Sequence, residues 1–368
     1  MTVVRSGRLC TANVGMERPF LQRIDMNLYV TEQGVRICRR GGHLLVCKGD
    51  SVLEDSLLES VESLVLFGAA QPSVDVMMSL MENGSEISFL SRGGHFKGRM
   101  VPGVCKNVPL RIKQYDAFRD PEISFRIAKG CIERKLAGGL LLLDSYHRNV
   151  HNDFCFEERA DYLLNMERLR AYEGPEKESL RGYEGFGAKL YFQAFARCLK
   201  HGVAFPGRAY YPSVDPVNAL LSFGYSFVAR SLESLLEVAG IDPAVGFLHE
   251  LSYGRSSLAL DLLEEFRHPF VDKLVLSLFN KRHIVPEDFE TRDDESRPGQ
   301  LYLKPDAVKV FIRGYEDLCE SPNRVFADYK DLMWRDVFRK RVENLKRSLV
   351  DGAIDASADW KLLMEECA

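Results

Sequence analysis

The densest collection of reactive side chains lies between Ile241 and Asp272, IDPAVGFLHELSYGRSSLALDLLEEFRHPFVD. His249 stands just before a segment with helical spacing, in which Asp261, Glu264 and Glu265 are interleaved with Leu258, Leu262, Leu263 and Phe266. Residues three or four apart share a helix face, so Asp261 and Glu264 point the same way. A carboxylate pair with an imidazole nearby is metal-ligand material. Hard oxygens with a single histidine suit Mg²⁺ or Mn²⁺ better than zinc, which favours thiolates and several histidines. The ordinary fate of carboxylates on a helix is solvation, so this motif does not decide the matter by itself.

Two further stretches carry polar groups in suggestive places. In RGYEGFGAKLYFQAF, Glu184 opens a helix whose apolar stripe is Ala188, Tyr191, Phe192 and Phe195. An acid in a first turn is favoured by the helix dipole, and Gly182, Gly185 and Gly187 permit close approach by a backbone or a nucleic acid. In FPGRAYYPSVDPVNALLSFGYSF, Asp215 caps a helix and Pro216 fills its first turn, while Arg208, Tyr210 and Tyr211 sit on the approach. A rival constellation is His147 and His151, spaced i, i+4, with Asp153 close by. A helix-end pair of that kind ordinarily meets solvent. His95 serves a turn, and His268 and His283 read as surface or DNA-facing.

The elements that must position these groups change character along the chain. The 368 residues suffice for two domains. Residues 1–25 show no periodicity and read as an extension, with Met26 as the functional start. Residues 26–106 read as a small, mainly β domain with one helix: a hairpin over Val30–Lys48 turning at Gly41 and Gly42, strands at Ser63–Phe67 and Ile87–Leu90, and a helix after Pro72. Residues 107–368 read as a larger, all-α domain, so the fold class is α+β. Its helices are expected over Leu110–Leu136, interrupted at Gly138 and Gly139 and continuing over LLLLDSYHRN, then Phe154–Arg170, Tyr183–Leu199, Asp215–Val238, Ser256–Arg267, His268–Asn280, Asp306–Cys319 and Asp328–Val350. Glu290–Gly299 reads as a loop.

Net charge is −4, which excludes a uniformly basic nucleic-acid binder. From Arg92 to Lys135, however, eleven Lys or Arg face four Asp or Glu, as in a protein with a local phosphate-binding surface. Nine scattered cysteines with no Cys-x-x-Cys pair point away from a zinc ribbon or disulfide framework and towards reduced thiols in a cytoplasm. No apolar run is long enough to span a bilayer, and the N-terminal residues lack the apolar core of a secretion signal.

Taken together, the blocks LYVTEQGVRI, LESLVLFGAAQPSVDVMMSLMENGSEISFLSRGGHFKGRM, RGYEGFGAKLYFQAF, DPVNALLSFGYSF, VGFLHELSYGRSSLALDLLEEFRHPFVD and the tail from Gln300 to Phe311 resemble the CRISPR-associated spacer-acquisition integrase, the universal nuclease of CRISPR adaptation. They run in family order from about Met26 to the C-terminal helices. The resemblance implies a β-rich dimerisation domain followed by a helical catalytic domain. It implies a metal site of Glu184, His249 and Glu264 holding Mg²⁺ or Mn²⁺, with Glu264 standing where many members have Asp and Asp261 in support. It also implies strand transfer, in which a DNA 3′-hydroxyl is joined to the repeat array, and DNA cleavage at the same site. The implied partners are double-stranded and branched DNA, a second copy of the chain, and a small ferredoxin-fold adaptation protein in a heterohexamer. Arg208, Arg255, Arg267 and Lys281 flank the site blocks and are expected to meet phosphates. The alternatives are a transposon-type integrase of the same fold and a non-catalytic DNA-binding scaffold.

Overall fold

The computed structural model describes residues 3–5, 26–94, 96–103, 107–150, 157–209, 212–291 and 298–351. His95, His151, Asp153, Tyr210, Tyr211, most of the Glu290–Gly299 loop and the side chain of His147 lie outside the described residues. By their contacts the residues form two units: Met1–Val104 with Tyr302–Glu316, and Cys105–Leu301 with Asp317–Ala368.

The first unit is β-rich. Its strands are β1 (Val3–Arg5), β2 (Met26–Val30), β3 (Arg36–Arg40), β4 (His43–Lys48), β5 (Ser51–Leu57), β6 (Val61–Phe67), β7 (Gln71–Pro72), β8 (Glu86–Leu90) and β9 (Phe96–Met100), with α1 (Val74–Glu82) between β7 and β8. One sheet runs β1-β2-β6-β8-β9; its central strands are parallel and its two edges antiparallel. The other runs β5-β4-β3-β7. The expected hairpin is β3–β4, with Arg40 opposite His43 and Gly41 at φ +61°, a left-handed turn position that glycine takes without strain. β5 was not legible: SVLEDSL is mostly exposed and carries Glu54 and Asp55 at its centre, the usual guise of an edge strand. Leu28, Val30, Ile37, Leu64, Leu80 and Ile87 belong to the core cluster of this unit.

The second unit is mainly helical: α2 (Val108–Arg119), α3 (Pro121–Val150), α4 (Glu157–Ala171), α5 (Lys177–Cys198), α6 (Pro216–Ala239), α7 (Ser257–Phe266) and α8 (Lys273–Asn280). Two three-residue strands, β10 (Phe289–Thr291) and β11 (Leu301–Leu303), follow, so this part of the chain is not purely α. After them come α9 (Pro305–Cys319) and α10 (Trp334–Asp351). Most of α9 groups with the strands rather than with the other helices. Its Glu316 accepts hydrogen bonds from the Tyr29 hydroxyl and from Asn27 Nδ2, the latter at 3.4 Å.

Where the expected helix over Leu110–Leu136 was one element, the chain makes two. Asp120 ends α2 and its Oδ1 caps α3, accepting from the backbone N–H of Glu122 at 2.9 Å and Ile123 at 3.0 Å. Pro121 opens α3, where its missing N–H costs nothing. α3 then runs straight through Gly138 and Gly139, which do not interrupt it. They are there for contact. A Cβ on Gly138 would lie 2.9 Å from Pro269 Cδ, and one on Gly139 would lie 2.7 Å from the Tyr162 hydroxyl and 3.0 Å from His268. α3 therefore sits close against α5, α7 and the π-helical turn Arg267–Asp272 that joins α7 to α8. Gly139→Ala forces these rings apart. We expect a loss of about 1–3 kcal/mol in urea unfolding; a variant as stable as the parent would show that the packing tolerates a methyl there.

Candidate active site

Three carboxylates occupy two turns of α7, and all three are buried: Asp261, Glu264 and Glu265 are 0%, 5% and 1% exposed. The solvated face ordinarily expected of such a helix is absent. A buried carboxylate is stable as an anion only with dedicated partners, and each of these has its own.

Asp261 is held by backbone. Its Oδ2 accepts from the N–H groups of Phe247 and Leu248, and its Oδ1 accepts from the N–H of His249 at 2.9 Å. The loop can wrap the carboxylate this tightly because residue 246 is glycine; a Cβ there would stand 2.8 Å from Asp261 Oδ2. The same Oδ1 lies 2.7 Å from His249 Nδ1. An imidazole whose Nδ1 is fixed by a carboxylate has its Nε2 as the remaining ligand or acceptor atom. That Nε2 is 3.8 Å from Glu264 Oε1. Asp261 thus orients His249, the supporting role expected of it.

Glu264 reaches towards α3 and the π-turn. Its Oε2 lies 2.7 Å from Lys135 Nζ and 2.9 Å from Arg267 Nε. Burial alone would raise its pKa; Arg267 and Lys135 more than reverse this and hold it well below the usual carboxylate range. Lys135 also bonds Glu184, so one ammonium joins the two acids. Burial works against the charge on Lys135, yet Glu264 and Glu184 raise its pKa above the ordinary lysine value. Glu184 is well inside α5, which starts at Lys177, rather than in its first turn, so a capping role is excluded. Of the glycines around it, Gly182 and Gly185 face open space, whereas Gly187 lies against Leu136 of α3, where a Cβ would come within 2.5 Å of Cδ2.

Glu265 points the other way. Arg341 of α10 holds it with Nε at 2.6 Å and NH2 at 2.9 Å, and Arg134 of α3 lies 3.3 Å away. Its role is structural, binding α10 and α3 to α7.

A second buried cluster stands behind the first. Asp272 accepts from Tyr191 at 2.8 Å and Tyr225 at 2.6 Å and lies 2.7 Å from His268 Nδ1. His268, expected at the surface, is fully buried, and burial lowers its pKa. The π-turn carries it inward; Pro269, without an N–H, disfavours a regular helix at this point. Arg267 and Arg208 lie 4.3 and 5.4 Å from the centroid of the Tyr225 ring. Arg208 is engaged with Asn218 Oδ1 at 2.7 Å and Ser222 Oγ at 3.2 Å. Arg255, Lys281 and His283 are exposed.

Lys135 therefore links Glu184 to Glu264, and Glu264 in turn faces His249. Among the described residues no three His, Cys, Asp or Glu side chains are gathered tightly enough to hold an ion as they stand. The chemistry of the donor set nevertheless fits a hard divalent cation: two carboxylates and an imidazole with its far nitrogen anchored, at a point where a positive charge is already bound by both acids. Lys135, Arg134 and Arg341 were not singled out from sequence. The signal for the first two was present: Arg134 and Lys135 lie in CIERKLAGG, flanked by the buried Cys131, Ile132, Leu136 and Ala137. Part of the basic excess over Arg92–Lys135 is therefore internal counter-charge rather than surface.

The depressed pKa of Glu265 has a measurable consequence. Arg341 and Arg134 outweigh the burial that would raise it. A carboxyl with a lowered folded pKa contributes stability that is fully present above its unfolded value, about 4.3, and is lost as pH falls through the folded value. Glu265→Gln is expected to lose about 3–5 kcal/mol at neutral pH, because the two largely enclosed arginines that hold it lose their anion, and to show a shallower fall in stability below about pH 4.3. Urea unfolding across pH 3–7 checks both; an unchanged acid limb would contradict the assignment.

Comparison with known proteins follows the same lines. A family model described as CRISPR associated protein Cas1 matches residues 28–317. The CRISPR-associated endonuclease Cas1 3 of Thermus thermophilus is 38% identical over 291 residues, 78% of this chain and 83% of that protein. CRISPR-associated endonuclease Cas1 2 of Rhodospirillum rubrum is 34% identical over 314 residues, 83% and 89% of the two chains. A solved CAS1 protein from Thermotoga maritima matches with TM-score 0.71 at 22% identity, over 88% of this chain and 96% of that one. A casposase bound to integration product matches with TM-score 0.74 at 23% identity, over 88% and 90%. At those identities the structural likeness speaks for the fold alone, but the family match spans most of the sequence: the chain belongs to the Cas1 family of CRISPR-associated proteins.

Proposed function

We propose that this chain is an integrase and endonuclease of CRISPR adaptation, and that Glu184, His249 and Glu264 hold a Mg²⁺ or Mn²⁺ ion for its chemistry. The observation that carries the reading is the meeting of two carboxylates on one cation beside an imidazole fixed by Asp261. The relatives named as endonucleases favour it over a non-catalytic scaffold or an integrase acting outside CRISPR.

In strand transfer, the 3′-hydroxyl of the incoming DNA attacks a phosphodiester and another 3′-hydroxyl leaves; with water in place of the hydroxyl, the same site cuts. A divalent ion bound here supplies Lewis-acid stabilisation of the charge that gathers on the phosphate oxygens. The chain's own residues set the stage for it. Glu184 and Glu264 provide anionic oxygens from two different helices, so their spacing depends on α3 lying between α5 and α7. Asp261 fixes the ring of His249 with Nε2 towards Glu264, leaving no Nδ1 lone pair for a competing role. Arg267, bonded to Glu264 and stacked on Tyr225, keeps a second positive charge beside the reacting phosphate.

The substrates are double-stranded protospacer ends, branched DNA and the repeat. The chain works in the cytoplasm as a homodimer through its β-rich unit, together with a small ferredoxin-fold partner in a heterohexamer. Solved relatives include a complex named Cas6-RT-Cas1–Cas2, which is consistent with an assembly of that kind. No helix among the described residues is long and apolar enough to cross a membrane.

Glu184→Ala or His249→Ala should reduce Mn²⁺-dependent joining and nicking of a branched DNA by about 10²-fold or more, while circular dichroism and DNA affinity stay near the parent values. Full activity in either purified variant would refute the site. DNA affinity should fall steeply with salt, and Arg255→Ala, at an exposed position, should weaken binding for all sequences and reduce the salt slope by about 1. An unaltered slope would remove Arg255 from the phosphate contacts.

A further inference from the structure

Lys135 is 4% exposed and lies on the middle of α3, in contact with both acids of the site. An ammonium is a compact point charge on a flexible stem, with three donors that can be redirected. It therefore does here what a small cation would do: it bridges two carboxylates that would otherwise repel. Glu264 distributes its oxygens unequally. Oε2 is taken by Lys135 and Arg267, whereas Oε1 faces His249 Nε2 at 3.8 Å. The oxygen of Glu264 left open to an ion is thus Oε1, on the side of His249, while Oε1 of Glu184 is held by the ammonium. Arg267 shares Oε2 of Glu264 with Lys135, at 2.9 Å.

We infer that Lys135 is a built-in counter-cation that competes with the divalent ion for Glu184 and Glu264, so that this one side chain sets the metal affinity of the site. Before metal arrives, it bridges the acids and keeps them in register. When metal binds, the ammonium gives up Glu184, and like-charge repulsion drives it away from the pair. Metal binding and the Lys135 contacts are two ligand sets for one pair of carboxylates, and linkage requires that weakening one strengthens the other. The inference rests on the proposed metal site, and the experiment separates the two.

The test is calorimetric titration of the purified full chain with MnCl₂, without DNA, accompanied by thermal melts with and without Mn²⁺. Lys135→Met removes the charge and keeps an unbranched chain one atom shorter. It should bind Mn²⁺ at least about five-fold more tightly than the parent, melt at a lower temperature without metal, and gain more from added Mn²⁺. Lys135→Arg keeps the charge and should retain the weaker affinity. Should Lys135→Met not fold, Lys135→Gln serves for the same comparison. Equal or weaker Mn²⁺ binding by the charge-removing variants overturns the counter-cation role. If Mn²⁺ binding by the parent is absent, or is unaffected by Glu184→Gln, the metal site itself is refuted and the inference falls with it. If binding depends on Glu184 but not on the charge at residue 135, only the inference fails.

Discussion

Three ionised carboxylates cannot share two buried turns of one helix unless each is given a different partner. That constraint shapes the helical unit. Asp261 is met by backbone N–H groups and one imidazole, Glu264 by a lysine and an arginine, and Glu265 by two arginines. The partners come from the loop before α7, from α3, from the π-turn and from α10. Satisfying the charges on α7 therefore dictates which elements stand around it. Breaking any of these sets leaves a buried charge without compensation, which costs far more than the intact pair contributes. Their value lies in geometry: polar groups with only one satisfying arrangement fix the register of the helices that carry them.

Glycine supplies the other half of the positioning. Gly138, Gly139 and Gly187 bring α3 against the π-turn and α5, and Gly246 lets the loop close on Asp261. In each case a methyl group would meet another atom at 2.9 Å or less. Each glycine is a point of contact, and three of the four lie inside helices, where glycine is intrinsically unfavourable. The local cost is accepted because it sets the distance between the walls of the site.

Much of this was readable from residue order. Asp215 with Pro216, the Gly41–Gly42 hairpin and the helix after Pro72 carry local signals with one structural meaning, and each stands where those signals put it. What was hidden was long-range. The AspPro at 120–121 signals a helix start, but a helical period running through both sides of it masks the break. Gly138 and Gly139 look like an interruption until their neighbours are known. His268 looks like a surface histidine because its anion, Asp272, is itself held by tyrosines from α5 and α6. Lys135 and Arg134 read as solvated charge because their partners lie on other helices. A buried ion pair between distant segments leaves no periodic trace. The hint is a charge in an otherwise apolar turn, as in CIERKLAGG.

Charge also explains why the site should be built with its own cations. Glu184, Glu264 and Asp261 are set against Lys135 and Arg267, so the acids outnumber these cations by one. That excess attracts a cation but repels a phosphodiester. A divalent ion that displaced Lys135 would bring three anions into balance with Arg267 and the ion, so that the site would no longer repel a phosphodiester. On the proposed reading, metal loading and DNA engagement are coupled through electrostatics alone, without any rearrangement of the helices. A site with no lysine or arginine would remain anionic even when loaded, and one with a third cation would hold metal poorly. Of the two cations found here, Lys135 is the one that an ion would replace and Arg267 the one bonded to Glu264 alone, so on the proposed reading loading would cancel the negative excess that the substrate meets.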